Sequence, residues 1–152
     1  MAASGGDDLR FGALITANLA MVKIVQGDLD RAYSLCQETL DDARRSGSLA
    51  SVELFFMINR ARIAFLRGNL QEARDFCLRA LAYYLPLRRL DMIAYIQLLF
   101  PRIELALDDL PSAREKALQA YEYFRRLDIP PSVQECEQLL LILDRQGDLN
   151  VL

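Results

Sequence analysis

Along the chain, apolar residues recur at three- and four-residue steps, the pattern of helices with one buried face, and short polar turns separate the runs. From Leu29 to about Arg45, one side carries Ala32, Leu35, Cys36, Thr39 and Leu40, and the other carries Asp30, Arg31, Gln37, Glu38, Asp41 and Asp42. A run beginning at Leu70 repeats it slot for slot, with Ala73, Cys77, Ala80 and Leu81 in the places of Ala32, Cys36, Thr39 and Leu40. Ser112 to Leu127 repeats it again with Ala113, Ala117, Ala120 and Tyr121. The runs between these are more apolar: Leu9 to Val25, Val52 to Leu66, Met92 to Leu107 and Val133 to Gln146. Val52 to Leu66 is apolar on most of its circumference, which predicts cover on two sides. Pro101 removes one helical hydrogen bond from the fifth run and predicts a kink there.

The turns carry the organisation. Gly27-Asp28-Leu29, Gly68-Asn69-Leu70, Asp108-Asp109-Leu110 and Gly147-Asp148-Leu149 place their leucines 41, 40 and 39 residues apart. A period near 40 is the mark of a repeat protein. Gly or Asp relieves one helix end, Asp or Asn caps the next helix, and Ala follows where two backbones approach closely. The expected fold is all-α with no strand, an α-α superhelix, or solenoid, of about three and a half helical hairpins. Residues 1–8 read as a disordered leader or tag remnant, and residues 9–152 as a single repeat domain. Its hairpins are expected at about 9–46, 49–88 and 91–127, followed by a capping helix over 131–147. Asp148-Leu149 reads as the opening of an eighth helix, which fits either a segment of a longer array or a natural chain end.

Composition narrows the chemistry. The 152 residues are 53% hydrophobic, too apolar for disorder, and 18 basic against 21 acidic side chains leave a net charge of −3. That balance disfavours nonspecific binding to nucleic acid or an anionic membrane. There is no histidine, which removes His-based acid–base catalysis and His-ligated zinc. Cys36, Cys77 and Cys136 are odd in number and widely spaced. Cys36 and Cys77 share one repeat slot and read as small core residues rather than a disulfide pair. The amino end lacks the basic-then-apolar run of a signal peptide, and no apolar run approaches the ~18 residues of a membrane span. A cytoplasmic setting fits these features.

The Gly-(Asp/Asn)-Leu turn, the alanine three residues after each leucine (Ala32, Ala73, Ala113) and the small residues Thr39, Ala80 and Ala120 resemble the tetratricopeptide repeat (TPR) family over roughly residues 9–149. The chain departs from that family's usual pattern: its period exceeds ~34 residues, no tryptophan opens a repeat, and Pro101 stands where Ala20 and Ala61 stand earlier. Ala-Arg-Arg-Ser-Gly and Phe-Arg-Arg-Leu-Asp at the ends of second helices look like the long variant repeats in sensor regions of large ATP-dependent bacterial transcription activators.

In this family the exposed side of the first helices lines a concave groove. The resemblance implies partner-binding residues Asn18, Phe55, Asn59, Arg62, Tyr95 and Arg102 there. Asn18 and Asn59 align at 41 residues and Arg62 and Arg102 at 40, so each pair should stack in adjacent hairpins. Chaperone-binding members clamp a terminal carboxylate with Asn and Lys or Arg at such positions, and guanidinium forks suit an anionic or carboxylate-bearing segment. Met21 fills that slot in the first repeat, so the match is partial; solvated or internally paired arginines are the structural alternative. Phe55 and Tyr95, with Ile58, Phe65 and Leu98, would give either an apolar groove for a peptide or helix or ordinary core. Arg44-Arg45, Arg88-Arg89 and Arg125-Arg126 read as cations closing second helices. The carboxylate pairs Asp41-Asp42 and Asp108-Asp109 do not face each other as an acid–base pair would. The expected function is a non-enzymatic protein–protein interaction scaffold without cofactor or metal, binding a peptide, helix or partner domain, with self-association left open. The alternative is a ligand-sensing or autoinhibitory domain of a bacterial transcription activator.

Overall fold

The computed structural model describes residues 4–149. Among them are seven helices and no strand: α1 (Ser4–Val25), α2 (Leu29–Arg45), α3 (Leu49–Leu66), α4 (Leu70–Tyr84), α5 (Leu90–Ala106), α6 (Leu110–Arg126) and α7 (Pro130–Leu149). The protein is all-α.

One backbone device closes the first six helices. Two residues beyond each, and four beyond α4, lies a residue with positive φ: Gly27 (80°), Gly47 (73°), Gly68 (80°), Arg88 (51°), Asp108 (60°) and Asp128 (53°). Each left-handed residue returns its N–H to a carbonyl three residues back, and the next residue returns its own to one five back. At the first turn these bonds are Gly27 N–H to Ile24 O at 3.0 Å and Asp28 N–H to Lys23 O at 2.9 Å. At the last they are Asp128 N–H to Arg125 O at 3.2 Å and Ile129 N–H to Phe124 O at 3.1 Å. This is the Schellman arrangement, which satisfies carbonyls that a helix end otherwise leaves open. The residue that bonds five back also stands at the start of the next helix. Asp28 accepts the Arg31 N–H at 3.2 Å and Asp109 accepts the Ser112 N–H at 3.1 Å, each capping a helix N-terminus.

The chain divides into two compact units between Tyr83 and Tyr84. In the first, α1 packs against α2 and α3, and α2 against α3. Small residues set the spacing: Ala13, Ala17, Ala20, Ala32 and Ala43 lie in one core with Leu40, Val52, Phe56 and Ile63. The Arg60 guanidinium lies 4.3 Å from the Phe76 ring centroid and Arg79 bonds Glu53 at 2.8 Å, tying α4 to α3. In the second unit α6 packs against α5 and α7, and α5 also touches α7. Ala113 and Ala117 pack with Leu143, and Ala120 and Phe124 with Cys136. The three-residue alanine register is therefore buried throughout: Ala32, Ala73 and Ala113 are fully enclosed.

Several expectations need correction. The stretch read as a disordered leader is helical from Ser4, where Asp7 in the first turn favours the positive end of the helix dipole; Met1 to Ala3 lie outside the described residues. Gly147 does not open an eighth helix, because α7 continues through it to Leu149. A lone glycine costs a helix only about 1 kcal/mol. Termination at the other glycines comes from a positive φ, which Gly147 does not adopt. Pro101 does not break α5, which continues through it; the proline is buried and leaves the Gln97 carbonyl without its usual N–H, the local defect on which the expected kink rests. Arg88-Arg89 does not close a helix: α4 ends at Tyr84 because Pro86 cannot continue it, Arg88 takes the left-handed position and Arg89 begins α5.

Arginine has a Cβ and gains nothing from φ of 51°, so Arg88→Gly should raise stability by about 0.5–1 kcal/mol, the relief of left-handed strain less the entropy of a freer unfolded chain. The reverse change, Gly68→Ala, should cost about 1–2 kcal/mol although open space surrounds the new methyl. Urea titration of both variants checks the pair; a Gly68→Ala protein as stable as the parent would remove the turn from its controlling role.

Candidate functional site

The six residues expected to bind a partner divide between the two units, and most have work within their own. Asn59 is 3% exposed, and its Nδ2 donates to the Ala17 carbonyl of α1 at 2.8 Å. It is a buried tie between first helices of adjacent hairpins, and its amide does not face solvent. Arg62, one turn on, is half-buried and reaches Met21 with its guanidinium, Nη1 to Sδ 2.7 Å. The slot equivalence read from the sequence is thus met in space, with Arg62 standing directly beside Met21. Phe55 is half-buried and packs against the first unit's core. Asn18, the counterpart of Asn59, is exposed on α1.

In the second unit, Arg102 is ion-paired with Glu135 of α7 and bonds the Leu98 carbonyl at 3.3 Å. Its charge is therefore already opposed by a carboxylate. Tyr95 is half exposed. Arg62 and Arg102, expected to act together, lie in different units, and each is engaged inside its own.

The other charged motifs settle into structural roles. Asp41 and Asp42 pair with Arg44 and Arg45 one turn on, at 2.6 Å for Asp41–Arg44. Asp108 holds the left-handed turn and Asp109 caps α6. Arg67 bonds Asp30 at 2.7 Å and covers the Tyr33 ring at 4.6 Å, stitching α2 to the end of α3. Among the described residues, no group of three or more Cys, Asp or Glu side chains converges as a metal site would. None of the helices is long and apolar enough to cross a membrane.

A different feature, which the sequence reading passed over, is an open groove of about 610 Å³ along α5 and α6. Gln97, Leu118, Gln119, Glu122, Tyr123, Arg126 and Leu127 line it. Helix α6 buries Ala113, Ala117, Ala120 and Phe124, which turns Leu118, Gln119 and Glu122 outward at the complementary positions of a 3.6-residue period. Tyr123 forms the wall: its hydroxyl donates to the Leu90 carbonyl at 3.0 Å, and its ring stands edge-on to Phe124. Burial, with the nearby Asp91 carboxylate, raises the Tyr123 phenol and keeps it a donor. Asp91 is itself held below the usual carboxylate range by its bonds from Arg89, the shorter 2.8 Å. The groove thus has a carbon-rich floor with one acid and one base at its rim. Its only sequence signal was Leu118, an apolar residue on the polar side of α6.

All three cysteines are buried, and none forms a disulfide. Burial pushes the Cys36 thiol up to about 12, against a smaller pull from Arg60, and the Cys136 thiol to about 11. Compared with models of protein families, with curated proteins and with solved structures, the chain matches none.

A thiol harder to ionise in the fold than in the unfolded chain stabilises the fold below the ordinary thiol value of 9.0. As pH rises toward the folded values the unfolded chain gains thiolate first, so that stability is lost. Stability should fall between about pH 9 and 12, and Cys36→Ala should fall less steeply than the parent across that window. Urea midpoints of both proteins at pH 7, 9 and 10.5 check the difference. Asn59→Ala should cost about 1–3 kcal/mol through the lost buried bond, whereas Asn18→Ala, on the exposed counterpart, should cost under about 0.5 kcal/mol.

Proposed function

We propose that this chain is a non-enzymatic protein–protein interaction scaffold, built of TPR-like hairpins in an α-superhelix, that takes a short segment of a partner protein. The observation that carries the reading is the groove along α5 and α6. Its volume falls in the ~300–1,000 Å³ range of sites that seat a ligand or a few side chains. Leu118 and Leu127 supply apolar contact, Gln97 and Gln119 can bond a backbone, and Glu122 and Arg126 fix direction. The hairpin repeat supports the same reading. Its internal bonds are made by turns, alanines and buried ties, which leaves side chains such as Leu118 free to vary without cost to the fold.

The partner chemistry shifts with the structure. An anion clamp built on Arg62 and Arg102 has less to recommend it, since Arg102 faces Glu135 and the two arginines belong to separate units. A peptide or helix with one apolar anchor flanked by polar groups suits the α5–α6 groove better.

Random twelve-residue peptides selected on the immobilised chain provide the test. Leu118→Asp should weaken selected peptides at least ~10-fold, about 1.4 kcal/mol, while leaving the thermal midpoint within about 2 °C, since Leu118 is exposed. Peptides that bind the variant as tightly as the parent would place recognition elsewhere and refute the groove.

A further inference from the structure

Helix α1 is apolar on two opposite sides. One side, Ala13, Ala17, Ala20 and Ile24, is buried in the first unit's core. The other carries Phe11, Leu14, Ile15, Asn18, Val22 and Val25, and Phe11 and Val25 are 66% and 74% exposed. These positions recur at three- and four-residue steps over four turns, so they form one continuous stripe.

The same unit shows what such a stripe packs against. Advancing each position by the repeat interval of 41 residues gives Val52, Phe55, Phe56, Asn59, Ile63 and Leu66 of α3. Val52 and Phe56 are fully buried and Ile63 is 3% exposed, in one core with α1 and α2. Phe55 packs against that core, and Asn59 donates to Ala17 O. Except at the last slot, where Leu66 is exposed like its counterpart Val25, the exposed stripe of α1 is the face that α3 lays on the hairpin before it. Even the polar residue is kept: Asn18 stands where Asn59 makes its cross-helix bond. In the second unit α7 uses the same register, with Cys136 and Leu143 buried against α6.

We infer that the α1 stripe is a docking surface for an α-helical hairpin whose facing helix presents an alanine ladder, one of whose backbone carbonyls accepts from Asn18. Large side chains from α1 need small residues opposite them, and Phe56 and Val52 share one core with Ala13, Ala17, Ala20 and Ala32. Asn18 needs a carbonyl on a helix close enough to reach, and only a small-residue helix lets one approach. The surface lies in the first unit and is independent of the α5–α6 groove, so either can fail alone.

The probe is the chain's own first hairpin supplied a second time. Residues 4–48 are fused directly to residue 8 of the full chain, so that Ser48 precedes Asp8 as it precedes Leu49 in the parent. Stacking should give a single unfolding transition with a midpoint raised by about 5 °C or more. Ile15→Glu in the original copy should then lower the midpoint of the extended chain by about 5 °C or more, but that of the parent by less than about 2 °C. Ala17→Leu in the added hairpin should abolish the gain. Two separate transitions, or equal effects of Ile15→Glu in both backgrounds, would overturn the inference. Sedimentation of the parent covers the rival occupant: a dimer dissolved by Ile15→Glu would assign the stripe to a second copy of this chain and overturn the hairpin assignment.

Discussion

The left-handed residue after each of the first six helices is the constraint on which the rest depends. These residues fall at intervals of 20 or 21, so the period of 40 is two successive helices, each closed in the same way. A Schellman turn consumes the carbonyls of the helix it ends and hands its last residue to the next helix as the starting position. Nothing is left over for a long loop, and the interval bounds helix length, a bound that α4 falls short of because Pro86 ends it early. Where glycine fills the turn the geometry carries no steric penalty; at Arg88, Asp108 and Asp128 it does. That strain is tolerated because the bonded carbonyls and the helices on either side over-determine it.

Short turns alone do not make helices pack. The alanines do: with Ala13, Ala17, Ala20 and Ala32 in one layer, backbones come near enough for Asn59 to reach a main-chain oxygen on another helix. A single larger residue in that layer would cost about 1–3 kcal/mol by overpacking. The small-residue ladder therefore does two jobs, admitting Phe56 and Val52 from α3 and exposing carbonyls to a side-chain donor.

The chain's pattern made these elements legible to different degrees. The extents of α2 and the glycine turns could be read directly, because an amphipathic run ended by Gly-Asp leaves few alternatives. Arg88 and Asp128 could not be recognised as turn residues from their surroundings, since neither stands in the Gly/Asp-Asp/Asn-Leu motif that marked Asp108; counting 20 residues from Gly68 and Asp108 would have found them. Gly147 misled for the converse reason, as a glycine permits a left-handed turn without imposing one. The candidate site was legible only in part. Asn18 and Asn59, or Met21 and Arg62, are equivalent by spacing, and spacing is silent on which member of a stacked pair is covered. Asn59 is consumed by the hairpin before it, and Asn18 has none before it among the described residues. The groove beside α6 was invisible because it is built from side chains of ordinary polarity, with one leucine out of place.

A repeat protein's functional residues are therefore those whose slot goes unused by the stacking, and slot use depends on position in the array. Arg102 illustrates the point. Its alignment with Arg62 suggested a shared task, yet Arg62 meets a methionine on α1 and Arg102 meets Glu135 on α7. The partner lies in the preceding hairpin for one and in the following helix for the other. A guanidinium reaches several ångströms and is drawn to whichever acceptor its neighbours present. Equivalent backbones thus give it inequivalent work, and alignment of charged slots is weaker evidence for a binding site than alignment of small or apolar ones, whose roles are set by distance alone.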